Sequence, residues 1–97
     1  MNTIWKTELR NLGIGDVFSI RIPKGSKFLT IQIQHGIPVV WYLCDPKQPN
    51  EDRQIQMVVT GGNVHNPEEL TGYIATVQET MPDGFVFVSH YFERVAK

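Results

Sequence analysis

Apolar and polar side chains alternate with a period of two along most of the chain. Residues 17–22 place Phe18, Ile20 and Ile22 on one face and Ser19 and Arg21 on the other, the pattern of a half-buried strand. Residues 27–34 repeat it, so Leu29, Ile31 and Ile33 are expected to face the core while Thr30, Gln32 and Gln34 face outward. Residues 53–60 continue it with Ile55, Met57 and Val59 inward. Residues 39–44 are apolar at every position, which predicts a central strand buried on both faces. Strands over 3–9, 73–80 and 85–92 bring the count to about seven. In the last of these, Phe85, Phe87 and Tyr91 share one face and Val86, Val88 and Phe92 the other. Both sides of that strand therefore call for cover, and a second copy of the chain would supply it.

Turn chemistry cuts the chain between these segments. Pro23, Lys24, Gly25 and Ser26 read as a β-turn, because proline presets its own φ and glycine accepts a positive one. His35-Gly36 and Asp83-Gly84 read as hairpin turns. Residues 11–15 link the first two strands, and residues 45–52, with two prolines and no apolar side chain, read as an exposed loop. Asn66, Pro67 and Glu69 carry the start signals of a helix, including a possible capping box. Gly72 and a β-branched run follow within six residues, so a single helical turn near 66–70 is expected. Strands spaced every eight to twelve residues define an all-β, mainly antiparallel fold, a small barrel or sandwich.

Composition agrees with that class. Val, Ile and Thr total 26 residues against two alanines and five leucines, a balance that favours sheet over helix. The 97 residues suit a single domain over 1–97. The longest apolar run, residues 37–44, is far below the roughly 18–20 residues that span a bilayer, and no secretory signal opens the chain. A cytoplasmic protein is expected, without a membrane partner. Cys44 is the only cysteine, which forbids an intrachain disulfide. The net charge of -1 is too balanced for a protein built to grip a nucleic-acid backbone. Its distribution is uneven, since residues 1–49 carry a net +3 and residues 50–97 a net -4. That polarity marks either an anion-binding face, a route to self-association, or simply a solvated surface.

Ile4-Trp5-Lys6 near the start, Ile22-Pro23-Lys24-Gly25-Ser26-Lys27 running into Leu29, Gln32 and Gln34, then Gly36, Pro38, Trp41, Leu43, Asp45 and Pro46, and finally Thr60-Gly61 resemble a family of small uncharacterised phage and prophage proteins. The Pro-Lys-Gly turn, the Gln-x-Gln strand end and the Trp-x-Leu-x-Asp-Pro segment carry the resemblance. It implies a phage origin, hence the cytoplasm of a host cell, and assigns no catalytic residue.

Enzyme templates are missing. The chain has no Gly-x-Ser-x-Gly, His-Glu-x-x-His or Walker sequence, and His35, His65 and His90 lack metal-ligand spacing. No catalytic residue, metal or cofactor is expected, and Cys44, ending the most apolar strand, reads as packing. Two loops are better equipped. Lys24, Gly25, Ser26 and Lys27 offer two ammonium groups, a hydroxyl and a glycine amide within one turn, suited to a phosphate. Thr60, Gly61, Gly62 and Asn63 have the glycines that a concave nest of N–H groups needs. Trp41 or Tyr42 would stack a base, although aromatics in so short a chain also serve as core. Ordinary surface turns explain both loops as well.

Two readings follow. The first is a non-catalytic phage accessory protein, of the counter-defence kind, that sequesters a small anionic, nucleotide-like ligand through Lys24, Gly25, Lys27, Trp41, Thr60, Gly61, Gly62 and Asn63. The second is an interaction module that inhibits a host or defence protein by covering its surface, motivated by the two-sided apolar last strand. Both make homo-oligomers expected, because so small a scaffold gains stability by covering leftover apolar surface.

Overall fold

A computed structural model describes residues 1–10 and 17–95. Seven antiparallel strands form two sheets. In chain order they are β1 (Thr3–Glu8), β2 (Val17–Pro23), β3 (Lys27–Gln34), β4 (Ile37–Cys44), β5 (Asn50–Val59), β6 (Leu70–Thr80) and β7 (Val86–Arg94), with a 3-10 turn at Pro67–Glu69. The three-stranded sheet has the order β1-β4-β3 and the four-stranded sheet β2-β5-β7-β6. No helix among the described residues is long and apolar enough to cross a membrane. The link expected over residues 11–15 lies outside the described residues.

The period-two pattern places one face of each sheet against the other. Phe18, Ile20 and Ile22 of β2, Ile55 of β5, Ala75 and Val77 of β6 and Tyr91 of β7 meet Ile31 of β3 and Val40, Tyr42 and Cys44 of β4. Each of these side chains removes apolar surface from water at roughly 25 cal/mol per Å². Strands β3 and β6 also lie side by side and draw the two sheets together along that margin.

Strand β4 is central in its sheet, as its apolar run requires, yet Leu43 is 37% exposed. Its outer face is thus covered only in part, Val39 being buried there outside the main cluster. Leu29 departs from the expected alternation. The register steps from Phe28 opposite Tyr42 to Thr30 opposite Trp41, so Leu29 is the extra residue of a bulge. It is 43% exposed, and Phe28 takes the place on the core side instead. Strand β5 begins at Asn50, which shortens the loop expected over 45–52. The pairing of Pro23 with Asn50 and of Ile22 with Glu51 recruits these polar residues into the sheet.

The turns follow their chemistry. His35 and Gly36 have φ of 52° and 79°, the left-handed pair that a two-residue hairpin demands, and Gly84 sits at 88°. The helical turn forms without its expected cap, for Asn66 makes no side-chain capping hydrogen bond. Glu69, which would have closed the box, accepts a hydrogen bond from Arg94 Nη2 at 2.6 Å. A charge-assisted bond of that kind outweighs a cap.

Candidate functional site

The basic turn sits where β2 hands over to β3. Gly25 adopts φ +81°, and Ser26 donates from Oγ to the Pro23 carbonyl at 2.6 Å. The hydroxyl expected to meet a ligand is therefore buried in its own turn. The Gly25 amide does point at an anion, but that anion is Glu51, whose Oε2 accepts it at 3.2 Å. The same oxygen accepts Arg53 Nη1 at 3.2 Å. Lys24 and Lys27 stay exposed.

The second loop leaves the opposite end of β5. Gly61 has φ +85°, and the Gly62 amide donates to the Val59 carbonyl at 2.9 Å. An added Cβ at Gly62 would lie 3.0 Å from that carbonyl oxygen, so a side chain there would crowd the turn. One of the two amides assigned to a nest is thus committed to the turn. Gly61, Gly62 and Asn63 are exposed. Because β5 is ten residues long, the two loops stand roughly 30 Å apart along it. They do not form one site.

Trp41 lies on the outer face of the three-stranded sheet, paired with Lys6 and Thr30. Lys27 pairs with Leu43 on the same face, which brings Trp41 nearer to the basic turn than to Thr60. Tyr42 points inward, is 3% exposed and holds Thr7 Oγ1 at 2.9 Å through its hydroxyl, so it offers no ring for stacking.

Thr60 belongs to a different surface. It lines an open cleft of about 340 Å³ with Val59, Phe85, Val86, Phe87 and Val88, near the low end of the roughly 300–1,000 Å³ typical of ligand pockets. No charged side chain lines it. Phe85 is 61% and Val86 45% exposed at this end of the sheet, beside the hairpin at Met81–Gly84, whose Gly84 amide donates to the Met81 carbonyl at 2.8 Å. Such a cleft recognises apolar groups, not phosphates.

A second cavity of about 280 Å³ opens beside the basic turn and is lined by Lys27, Phe28, Arg53, Tyr73 and Glu93 among others. Arg53 dominates it. Its guanidinium donates to Glu93 Oε1 at 3.1 Å from Nη2, to Glu93 Oε2 from Nε and to the Ser26 carbonyl at 3.0 Å from Nη1. It also lies 4.8 Å from the centroid of the Phe28 ring. Hydrogen bonding to Glu93 holds Arg53 above its ordinary pKa, while burial pulls the other way. With four of its five N–H groups bonded to the protein, Arg53 braces the turn instead of awaiting a ligand. Nothing local in the sequence marked Arg53 or Glu93, which are forty residues apart.

Cys44 is buried, and burial with the nearby Asp45 charge pushes its thiol above the usual range, which disfavours the reactive thiolate. His90, on β7, is held between two hydroxyls, with Nε2 2.8 Å from Thr60 Oγ1 and Nδ1 3.0 Å from Thr76 Oγ1.

The architecture is that of an all-β domain of two packed antiparallel sheets with open clefts at its margins. The chain belongs to the family described as domain of unknown function DUF7352, whose model matches residues 1–97. Comparison with curated proteins gives no match, and comparison with solved structures gives none.

Proposed function

We propose that this chain is a non-catalytic interaction module that seats an apolar side chain of a partner protein in the cleft at the β6–β7 hairpin. The observation that carries this reading is Phe85, a large apolar side chain 61% exposed on the wall of a cleft whose other walls are Val59, Thr60, Val86, Phe87 and Val88. Interfaces concentrate their binding energy in such apolar, desolvatable centres. On this reading the chain is a phage accessory protein of the counter-defence kind, acting in the host cytoplasm by covering a surface of a host or defence protein. The motif likeness to small phage proteins supports that setting.

Selection of displayed peptides against the folded protein tests it. Peptides with a bulky apolar anchor are expected, binding wild type and losing at least tenfold in affinity for Phe85→Asp. Enriched peptides indifferent to Phe85→Asp, or no enrichment, would count against the cleft.

A small anionic ligand is the second reading, favoured by the exposed Lys24 and Lys27 and by the Gly25 amide already holding a carboxylate. Here the site contracts to Lys24, Gly25 and Lys27 with Trp41 on the neighbouring face, and the anion displaces Glu51. Calorimetry against a panel of cyclic nucleotides decides it. Heat that disappears in Lys24→Ala/Lys27→Ala supports it, and silence across the panel removes it.

A further inference from the structure

The two sheets end in four edge strands, β1 and β3 in one, β2 and β6 in the other. An edge carries a row of main-chain N–H and C=O groups with which a further strand can pair. Strands β3 and β6 lie side by side, so each limits access to the other. Strand β1 sets the exposed charges of Lys6 and Glu8 along its length, a pattern that discourages pairing. Strand β2 is left among the described residues. It runs without a bulge, and its one charged side chain, Arg21, is neutralised by Asp52 at 3.0 Å.

The Lys24 amide donates to the Pro49 carbonyl at 2.8 Å, one step beyond the pairing of Pro23 with Asn50. Bonded pairs alternate along an antiparallel ladder. Ile22, Ile20 and Phe18 therefore turn their N–H and C=O groups to β5, while Arg21, Ser19 and Val17 turn theirs to the free edge. Beside that edge lies an open cleft of about 480 Å³, with Thr7 and Glu8 of β1 on one side and Phe18, Ser19, Ile20 and Arg21 of β2 on the other. It shares no residue with the cleft at the β6–β7 hairpin. We propose that an extended segment of a partner protein, apolar at alternate positions, adds to β2 as a further strand and sends its apolar side chains into this second cleft.

The chemistry of the edge chooses that occupant. Val17, Ser19 and Arg21 present donors and acceptors in alternation, which only another polypeptide backbone matches in full. A phosphate backbone offers acceptors alone and would leave the three carbonyls unmatched. A strand added here directs every second side chain to the face that holds Phe18 and Ile20, so the cleft reads an apolar residue at alternate positions. A second copy meeting the edge through its own β2 would bring Phe18, Ile20 and Ile22 already committed to its own core, and nothing to fill the cleft.

An array of peptides of about eight residues, apolar at alternate positions, tests the proposal when probed with the Phe85→Asp protein. That variant disables the hairpin cleft, so failure here leaves the reading of Phe85 untouched. Binding peptides are expected, and their affinity should fall about tenfold for Ser19→Pro, as one buried acceptor left unpaired implies. Proline at this position removes an N–H that faces away from β5, so the ladder between β2 and β5 stays intact. N-methylation of the peptide decides the matter if Ser19→Pro does not fold: blocking every second N–H should abolish binding in one parity and spare it in the other. In the free protein the Ser19 and Arg21 amides should exchange with solvent faster than the Ile20 amide, and bound peptide should slow them. The absence of any binding peptide, affinity indifferent to Ser19→Pro, equal sensitivity to both N-methylation parities, or Ser19 and Arg21 amides as slow as Ile20 before peptide is added would each overturn the proposal.

Discussion

Arg53 on β5 grips Glu93 on β7 with both Nε and Nη2, while its Nη1 reaches the Ser26 carbonyl in the β2–β3 turn. One guanidinium thereby ties together two neighbouring strands and a turn that leads into the opposite sheet. The pair is largely shielded, at 16% and 26% side-chain exposure, so solvent screens it less than a surface pair.

Glu93→Gln is therefore expected to cost about 2 kcal/mol, from a weakened fork and a half-shielded cation. Arg53→Lys should cost a similar amount, since an ammonium cannot reproduce the planar fork or its stacking on Phe28. Arg21→Ala, which breaks an exposed pair with Asp52, should cost about 0–1 kcal/mol. Urea unfolding of the three variants checks the ranking.

The bulge in β3 makes a second contrast. Leu29→Thr is expected to change stability by no more than about 0.5 kcal/mol, because the side chain is already turned outward. Ile31→Ala, at a position with no exposure, should cost about 2–5 kcal/mol. Equal losses at the two positions would restore the uninterrupted alternation and remove the bulge.

That contrast also shows where the sequence was legible. Seven strands, the turns at 23–26, 35–36 and 81–84 and a helical turn near 66–70 followed from local rules, because period-two patterns and Gly, Pro and Asp placement act over a few residues. The extra residue at Leu29 did not, since Phe28 and Leu29 are both acceptable core side chains and only the register against Tyr42 and Trp41 chooses between them. The candidate site fared less well for the same reason. Lys24, Gly25 and Lys27 and the diglycine loop each looked equipped for an anion, but the length of β5 separates them, and Glu51 and Val59 occupy the amides. Such occupants are set by strand pairing, which no local motif encodes.

Alkaline pH is expected to unfold the protein earlier than its ion pairs alone would suggest. Burial raises the Cys44 thiol, with Asp45 adding to it, and burial raises the Tyr91 phenol, opposed by its bond to Ser89 and aided by Glu79. A raised folded value means the folded chain binds the proton more tightly than the unfolded one. The stability is intact below the ordinary thiol and phenol values, about 8.5 and 10, and is lost as pH climbs from there through the raised ones. Urea midpoints from pH 7 to 10.5 should fall progressively above about pH 8.5, and Cys44→Ser should remove the earlier part of that fall.

Nuclear magnetic resonance mapping of a selected apolar-anchored peptide on the folded protein tests the central claim most directly. Amide shifts should concentrate at Val59, Thr60 and Phe85 to Val88 and leave the turn at Lys24 to Lys27 unmoved. Shifts centred on Lys24 to Lys27, with the hairpin silent, would contradict it.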